Sequence, residues 1–403
     1  MMARIAVVGA GAAGLMAAGF AAERHEVVLV ERNARPGRKL MITGKGRCNV
    51  TNNCGLDEFL ANVPVNPRFL YSALSQFGPA DAIAFFEKLG VPLKTERGRR
   101  VFPVSDKAVE IVDALARFAA PAKKQTGRVQ DLLLRGDAVA GVRLEDGREI
   151  GADAVILCTG GASYPATGST GDGYHLAEQA GHTIVPPHAS LVPMVTEEEW
   201  PARVMGLSLR NVTLTVCSRD GKTVFSELGE MLFTHFGVSG PLVLAASSHL
   251  RKPQGGRLSI DLKPGLSPEK LDARLQRDFE AFSAQNLSNT LHALLPARLI
   301  SICLLLAHLD GAKKTAQVTR AERLALGAVV KALPLTVKAF RPIEEAIITS
   351  GGVNVREVDP KTMASKRKRG LYIAGELLDV DAHTGGYNLQ IAFATGRAAG
   401  LTV

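Results

Sequence analysis

The chain has 403 residues, too many for one compact core, so we expect two or three domains. Hydrophobic residues make up 46% of it and charged residues 22%, which is typical of a soluble globular protein. The net charge of +9 would suit contact with nucleic acid, but the basic residues are scattered. The one basic run, residues 366–369, we interpret as a solvated turn before a strand. We therefore expect no nucleic-acid partner, and we expect the excess charge to help attract an anionic cofactor or substrate.

Neither a secretion signal nor a membrane span is expected. Polar residues interrupt the opening apolar stretch, and the later apolar run 299–306 is far shorter than a bilayer-spanning helix. The five cysteines are odd in number and include no C-x-x-C pair, which suits a reducing compartment. We predict a cytoplasmic protein. No spacing of His, Cys or carboxylate residues suggests a metal site.

The N-terminus carries a dinucleotide-binding pattern. An apolar strand at residues 5–8 runs into Gly9, Gly11 and Gly14, and the next strand ends in Glu31. The first glycine allows a tight turn, the second lets the backbone approach a pyrophosphate, and the third lets helix and strand pack closely. Glu31 lies at the usual distance to hold an adenosine ribose. An ordinary glycine-rich turn is the alternative, but it does not require this strand, helix and acid in order.

The next elements follow from periodicity. A glycine-rich loop at residues 43–49 is predicted to lie along the cofactor. Predicted helices are residues 67–77, 79–89, 106–119 and 171–181. Predicted strands are residues 129–134, 138–144 and 148–150, then a buried parallel strand that begins at residue 154.

From about residue 191 the pattern changes. Predicted strands are residues 207–217 and 222–227 around a hairpin turn, then 231–234, 257–262, 336–340 and 346–349. A mostly helical stretch, residues 267–333, begins with Ser267 as N-cap. A buried strand at residues 371–374 and a final helix then rejoin the N-terminal unit.

This discontinuity predicts an insertion. We expect a cofactor-binding domain at residues 1–189 and 351–403, an inserted β-rich domain at 190–266 and 334–350, and a helical subdomain at 267–333. Such an insertion usually places a substrate-facing wall over the cofactor.

Several motifs together resemble those of one bacterial flavoprotein family. They are Gly37-Arg38-Lys39, Gly44-Lys45-Gly46-Arg47-Cys48-Asn49, Cys158-Thr159-Gly160-Gly161, Thr234-His235-Phe236-Gly237-Val238-Ser239-Gly240-Pro241 and Gly375-Glu376-Leu377-Leu378-Asp379-Val380-Asp381-Ala382-His383-Thr384-Gly385-Gly386-Tyr387-Asn388. The chain is identified as a member of the BaiN-like or YhiN-like NAD(P)/FAD-dependent oxidoreductases, with aminoacetone-oxidase-like relatives. The resemblance covers essentially the whole chain.

The resemblance implies an α/β fold: a Rossmann-like FAD-binding domain of the two-dinucleotide-binding type, with an inserted β-rich domain and a helical subdomain. It also implies which residues bind non-covalent FAD. They are Gly9, Gly11, Ala13 and Gly14 at the pyrophosphate; Glu31 and Arg32 at the ribose; Gly37, Arg38 and Lys39 on the adenosine side; Gly46, Arg47, Cys48 and Asn49 at the phosphates and flavin; Val129 at adenine; Thr159 and Gly160 at the turn beside the cofactor; and Gly375, Glu376, Gly386, Tyr387, Asn388 and Leu389 at the ribityl chain and flavin edge.

No catalytic residue is fixed by the sequence, and each of three candidates has a structural alternative. His383 follows Ala382, where many relatives have glycine, and is either an acid near the flavin or a loop residue bonded to the backbone. Tyr387 is either a proton donor or packing at the flavin edge. His235 either faces the flavin or is a buried structural histidine.

Cys48 and Cys54 superficially resemble the redox pair of disulfide reductases. Their spacing is C-x5-C, whereas those enzymes use C-x4-C, and the chain lacks a second G-x-G-x-x-G domain. We therefore predict no catalytic disulfide.

The expected activity is hydride transfer between flavin N5 and a small or medium organic substrate. The resemblance favours reduction of an activated C=C bond, with NAD(P)H visiting the flavin transiently as co-substrate. The alternatives are an amine oxidase that uses dioxygen, or a non-catalytic flavin-binding or RNA-associated protein. The sequence fixes neither the substrate nor the oligomeric state.

Overall fold

The computed structural model describes residues 2–250 and 252–403. In chain order its strands are β1 (Arg4–Val8), β2 (Glu26–Glu31), β3 (Thr51–Asn52), β4 (Leu93–Glu96), β5 (Arg100–Pro103), β6 (Lys123–Thr126), β7 (Val129–Arg135), β8 (Ala138–Leu144), β9 (Glu149–Gly151), β10 (Ala154–Leu157), β11 (Ile184–Ser190), β12 (Met194–Thr196), β13 (Ser208–Cys217), β14 (Thr223–Thr234), β15 (Gly237–Ser239), β16 (Gly256–Asp261), β17 (Leu333–Phe340), β18 (Ile348–Val353) and β19 (Leu371–Ile373).

The helices are α1 (Ala12–Ala21), α2 (Arg38–Ile42), α3 (Leu56–Ala61), α4 (Tyr71–Gln76), α5 (Pro79–Lys88), α6 (Ala108–Phe118), α7 (Asp172–Gln179), α8 (Trp200–Arg203), α9 (Pro241–His249), α10 (Pro268–Ala281), α11 (Leu287–Thr290), α12 (Ala297–Leu306), α13 (Arg320–Lys331) and α14 (Tyr387–Thr402). Short 3₁₀ turns connect several of them, including Pro67–Leu70 and Val355–Glu357. In the two described stretches no helix is long and apolar enough to span a bilayer.

A parallel sheet of five strands, in the order β19–β10–β1–β2–β6, organises the first part of the chain. β1 is apolar and buried except for Arg4, and β10 is apolar and buried throughout, as expected for strands covered on both faces. Val8 pairs with Val30 on one side and with Leu157 on the other, so the three strands end together. The carboxyl edge of such a sheet is where ligands bind.

The last helix packs directly on the first. A Cβ at Gly396 would lie 2.3 Å from the carbonyl O of Ala13, and one at Gly400 would lie 2.5 Å from that of Ala17. α14 and α1 therefore approach closely only because these positions lack side chains. The C-terminal segment completes the N-terminal sheet and its helices.

The chain divides into two compact units. Unit 1 contains the residues up to Ser190 together with Pro342–Val403, and unit 2 is Leu191–Arg341. Residues 342–350 were predicted to belong to the inserted β-rich domain. The structure places them in unit 1, because β18 pairs with β11 there.

Unit 2 contains a closed barrel in the order β12–β15–β14–β13–β16–β17. The helices at residues 267–333 share one hydrophobic core with it, including Leu271, Leu299 and Leu326. Ser267 caps α10 as predicted, because its Oγ accepts the N–H of Lys270 at 3.3 Å. Where two strands were predicted, at 222–227 and 231–234, the structure has the single strand β14, which stays paired with β13 across Gly229.

The predicted fold class is confirmed: a Rossmann-like parallel sheet with a β-rich insertion and a helical part. The three-stranded sheet β3–β5–β4 and helix α9 were not predicted. The three strands of this sheet are short or partly exposed, so their sequences show little of the alternation that predicts a strand.

Candidate cofactor site

The turn between β1 and α1 has the geometry of a dinucleotide-binding loop. Gly9 has a φ of 96°, and a Cβ there would lie 2.6 Å from the carbonyl O of Cys158. A Cβ at Gly14 would lie 1.7 Å from the carbonyl O of Gly9, so this glycine lets α1 pack on the turn. A Cβ at Gly11 would meet no heavy atom within 4 Å. The free space is therefore beside Gly11, at a helix N-terminus whose N–H groups no side chain caps.

Glu31 is held beside this turn at the end of β2. Its Oε2 accepts the N–H of Ala10 at 2.8 Å, and its Oε1 accepts the N–H and the side-chain amide of Asn33, each at 2.8 Å. Arg38 donates to Oδ1 of the same Asn33 at 2.9 Å. Oε2 of Glu31 keeps a further lone pair that a ribose hydroxyl can use.

Asp172, at the start of α7, binds the predicted residue Arg32 and the neighbour of a second one, Val129. Arg32 donates to its Oδ2 at 3.2 Å, and Arg128 donates to both of its oxygens at 2.8 Å. Val129, the next residue, is buried at the start of β7. Asp172 thus joins Arg32 to Arg128, the residue that precedes Val129.

A polar network joins four segments at the carboxyl edge of the sheet. Nζ of Lys39 lies 2.6 Å from Oε2 of Glu376 and donates to Oγ of Ser163 at 2.7 Å. Oε1 of Glu376 also accepts the N–H of Thr349 at 2.9 Å and the hydroxyl of Ser163 at 3.1 Å. Lys39 was predicted on the adenosine side and Glu376 at the ribityl chain. The structure places the two side chains in contact.

The loop at residues 43–49 is fixed mainly through Arg47. Its guanidinium binds the carboxylates of Glu96 and Asp106 and lies over the ring of Phe102, with Cζ 4.1 Å from the ring centroid. This side chain was predicted to lie against phosphates. In the structure its charge is already paired with two carboxylates.

Two buried polar atoms near this edge lack partners among the described residues. They are Oδ1 of Asn49 and Oγ1 of Thr159. Thr159 packs so closely on α7 that a Cβ at Gly173 would lie 1.8 Å from its Oγ1. Buried oxygens without a partner are rare in folded proteins, so these two are consistent with a ligand that supplies donors.

The loop before α14 is closed by Asn388. Its Oδ1 accepts the N–H of Ala382 at 3.0 Å, and its Nδ2 donates to the carbonyl O of Ala382 at 2.7 Å. Gly386 has a φ of 101° and sits against the backbone of Thr51, where a Cβ would lie 2.4 Å from the carbonyl carbon. The N-terminus of α14 has no side-chain cap, so its N–H groups can face a ligand oxygen.

Two of the three catalytic candidates, His383 and Tyr387, have structural partners. Nδ1 of His383 lies 3.2 Å from Oδ1 of Asn62, whose carbonyl O accepts the His383 N–H at 3.0 Å. The ring of Tyr387 is buried and meets Phe59 edge-on, with centroids 5.0 Å apart. Burial raises the pKa of the Tyr387 hydroxyl above its usual value. These contacts favour packing roles for both residues.

His235 lies in unit 2, between β14 and β15. Its side chain is exposed, so the alternative of a buried structural histidine is wrong. Its ring meets that of Phe236 at 4.9 Å between centroids, and the guanidinium of Arg341 lies 4.8 Å from the centroid of Phe236. His235 is therefore held at an ordered hairpin tip.

Cys48 and Cys54 are free thiols with different surroundings. Cys48 is fully buried, and burial raises the pKa of its thiol to about 12. Burial and the nearby Glu58 also raise the pKa of Cys54. Neither thiol is set up to form the thiolate that disulfide exchange requires.

Sequence reasoning missed Ser163 and Thr349, and it gave Asp381 only as part of a motif, without a role. Ser163 follows the glycine pair after β10 and could have been noted as a polar residue at a strand's carboxyl end. Thr349 could not be predicted as a site residue, because it lies in a strand that was assigned to the insertion. Asp381 is fully buried, and its oxygens have no partner of good geometry among the residues described. Burial raises its pKa, while the nearby Ser190 and Ser350 hydroxyls act in the opposite direction.

The residues fit FAD. The open space beside Gly11, the uncapped N-termini of α1 and α14, the fixed carboxylate of Glu31 and the unpartnered oxygens of Asn49 and Thr159 all belong to unit 1. Across the described part of the chain, no three or more His, Cys, Asp or Glu side chains are grouped to hold a metal ion.

This fold and site define a dinucleotide-binding protein of the Rossmann type. The chain belongs to the family described as HI0933-like protein Rossmann domain, which matches residues 3–402. This is a family of FAD-dependent oxidoreductases, so the recognition made from the motifs is confirmed.

Two relatives match over almost the full length of both chains. The chain is 33% identical over 410 residues to the 3-dehydro-bile acid delta(4,6)-reductase of Clostridium scindens, covering 99% of this chain and 98% of that protein. It is 31% identical over 409 residues to the ribosomal RNA dihydrouridine synthase of Escherichia coli, covering 97% and 96%. A solved 3-ketosteroid-delta4-(5alpha)-dehydrogenase from Rhodococcus jostii shares the fold, with a TM-score of 0.53, 15% identity, and coverage of 100% of this chain and 96% of that one.

Proposed function

We propose that this protein is an FAD-dependent reductase of a C=C bond conjugated to a carbonyl group, with NAD(P)H as electron donor. The observation that carries the proposal is the chemistry common to the two relatives. One is named as a reductase of a 3-dehydro-bile acid, and the other forms dihydrouridine in ribosomal RNA. In a 3-oxo steroid and in uracil alike, the bond to be saturated is conjugated to a carbonyl group. Because both relatives match nearly the whole chain, their shared chemistry transfers better than either substrate.

The described residues support the cofactor's part of this reaction. FAD, when bound, supplies a two-electron hydride donor. The uncapped N-terminus of α14 carries partial positive charge, which would stabilise negative charge on the flavin pyrimidine edge. Glu31 and the network of Lys39 with Glu376 would orient the cofactor. The proton donor stays a prediction among His235, His383 and Tyr387. The contacts of His383 and Tyr387 favour packing roles for those two residues.

A second substrate has its own support. The relative named for ribosomal RNA and the net charge of +9 both favour a uridine within RNA, against our expectation of no nucleic-acid partner. The two identities, 33% and 31%, are too close to rank the substrates, and a free enone remains the leading candidate because the motifs alone favoured a small or medium organic substrate.

One experiment distinguishes the free enone, the uridine in RNA and the amine as substrates. Holoenzyme is reduced anaerobically with dithionite and mixed with a 3-oxo-Δ4,6 steroid acid, with unmodified ribosomal RNA, or with buffer, and the return of the oxidised flavin spectrum is followed. We expect the enone to reoxidise the flavin faster than buffer does. Reoxidation by RNA alone would assign the second substrate. If neither acceptor reoxidises the flavin but a primary amine reduces the oxidised enzyme, the protein is an amine oxidase.

A further inference from the structure

A second, basic cavity lies in unit 1, apart from every residue predicted to bind FAD. It has a volume of about 540 Å³ and lies between the 3₁₀ turn Pro67–Leu70 and the segment 355–366. Three cationic side chains line it, those of Arg68, Arg356 and Lys366. The cavity is open to solvent, and its volume lies within the range of small-molecule sites.

The positive charge of this cavity is largely unneutralised. Arg68 and Arg356 are exposed, and neither forms an ion pair within the described residues. Lys366 donates to the carbonyl O of Arg356 at 3.1 Å, which holds these two residues together. Two arginines that line one cavity without carboxylate partners are typical of a site for an anionic ligand.

Three carboxylates lie near the cavity. That of Asp379 accepts from the lining residue Asn66 at 3.0 Å, and the other two are engaged outside the cavity. Glu357 is buried and accepts from Arg367 at 2.6 Å and from the N–H of Thr183 at 2.9 Å. Asp359 accepts the N–H groups of Lys361 and Thr362 at 2.9 and 3.0 Å, and its charge offsets part of that of Lys366. The two arginines therefore carry most of the free charge.

The walls of the cavity are held in place. The N–H of Arg356 is capped by Oδ1 of Asn354 at 3.1 Å. On the opposite wall, Nδ2 of Asn66 donates to the carbonyl O of Asp379 at 2.6 Å and to its Oδ2 at 3.0 Å. A bridge between Val65 and Asp381 continues this attachment. The cavity is thus tied to the segment that leads into the candidate flavin loop.

The lining combines these cations with an apolar surface, to which Pro67, Phe69, Val358 and Pro360 contribute. Guanidinium groups bind phosphate oxygens in pairs, and an apolar wall of this kind accepts the face of a base. A ligand with both features is a nucleotide. The two arginines without ion pairs can together bind one phosphate, and Lys366, whose charge Asp359 offsets only in part, leaves charge for a second, which favours a nucleotide with an additional phosphate group.

We propose that this cavity binds the adenosine half of NADPH, with the 2′-phosphate on Arg68 and Arg356. The inference rests on the proposed function, because it assigns the place where the electron donor binds. A phosphate of an RNA chain is the other source of the same chemistry.

The test uses adenosine 2′,5′-bisphosphate as a probe that carries no electrons. Its affinity for the FAD-loaded enzyme is measured by calorimetry, beside adenosine 5′-monophosphate. We expect the bisphosphate to bind more tightly, and Arg68→Gln and Arg356→Gln each to weaken it about tenfold, the loss expected for one charge-assisted hydrogen bond. Arg369→Gln is the matched control, since it removes the same charge from an exposed arginine outside the cavity that pairs with Asp137. It should change the affinity by less than about twofold.

Each alternative outcome is decisive. Equal affinity of wild type and both variants for the bisphosphate, or no binding to wild type, overturns the proposal. If the two variants lose affinity for ribosomal RNA fragments but not for the bisphosphate, the cavity binds RNA phosphates instead. Failure of the proposed function appears separately, in the dithionite-reduced enzyme, which needs no nucleotide.

Discussion

Lys39 and Glu376 are 337 positions apart in the chain, yet Nζ of the first lies 2.6 Å from Oε2 of the second. The pair connects α2, which follows β2, with the turn that follows β19. Both side chains are mostly shielded from water, with exposed fractions of 22% and 20%. The contact therefore fixes two loops that lie at the same edge of the sheet, where the cofactor is predicted to bind.

Lys39→Met should destabilise the protein and lower the FAD it retains. Glu376 would keep only the neutral donors Ser163 and Thr349, so a mostly buried charge would lose its partner. We expect a loss of roughly 1–3 kcal/mol in the free energy of unfolding. Thermal melting and flavin content measure it. The double variant Lys39→Met/Glu376→Gln should recover part of the loss, and a strictly additive double variant would show that the pair is not coupled.

The glycines of the first turn should separate folding from cofactor binding. Gly11→Val should give a folded but largely FAD-free protein, because the new side chain points into open space that the pyrophosphate would occupy. Gly14→Ala should instead reduce soluble, folded protein, because its Cβ would lie 1.7 Å from the carbonyl O of Gly9. Circular dichroism and flavin absorbance distinguish the two. A yellow Gly11→Val protein that releases FAD on denaturation would contradict this placement of the pyrophosphate.

The sequence predicted those site residues that belong to a short motif with a fixed spacing. Gly9, Gly11, Gly14 and Glu31 follow from a strand, a turn and an acid at a set distance, and Asn388 from a motif. It did not predict the partner of Lys39, because Glu376 comes from another strand and Thr349 from a third segment. Contacts of this kind depend on how strands order in the sheet, which periodicity does not encode. The same limit applies to β18, whose pairing with β11 set the unit boundary.

Arg47 illustrates a different limit. Its position in a motif indicated a phosphate contact, but Glu96 and Asp106 lie close enough to pair with it. Those carboxylates come from β4 and the loop after β5, and neither of these short strands was predicted from the sequence. A charged residue's partner cannot be read from its own motif.

Cys54→Ser should leave flavin reduction and turnover within a few-fold of wild type. The thiol has a raised pKa, and its neighbour Cys48 is fully buried with a pKa of about 12, so neither supplies a thiolate. Stopped-flow absorbance of the flavin measures the effect. A loss of roughly a hundredfold, about 2.7 kcal/mol in the barrier, would restore the disulfide-reductase interpretation.

Asp381→Asn should raise stability at neutral pH. In the unfolded chain Asp381 ionises near its ordinary pKa of 3.8, whereas burial raises the pKa in the folded protein. The folded state therefore holds a proton that the unfolded state has lost, and stability falls as pH rises from the ordinary pKa towards the raised one. The asparagine side chain does not ionise, so the variant does not lose stability in this way as pH rises. The variant should melt above wild type at neutral pH, with a difference that shrinks on acidification; a constant difference would mean that ionisation of Asp381 is not involved.

His235→Ala should change substrate kinetics and leave FAD binding intact. The residue is exposed at the tip between β14 and β15 in unit 2, and the ring of Phe236 and the guanidinium of Arg341 hold that tip in place. All residues predicted to bind FAD lie in unit 1, so the cofactor content should equal that of wild type. We expect kcat/KM for an accepted enone to fall by about a hundredfold, the lower end of the range for loss of a group that protonates a substrate. His308→Ala, an exposed histidine elsewhere in unit 2, is the control and should have no effect. If His235→Ala empties the flavin site of a folded protein, or alters the kinetics of no accepted substrate, residues 234–237 do not carry substrate choice.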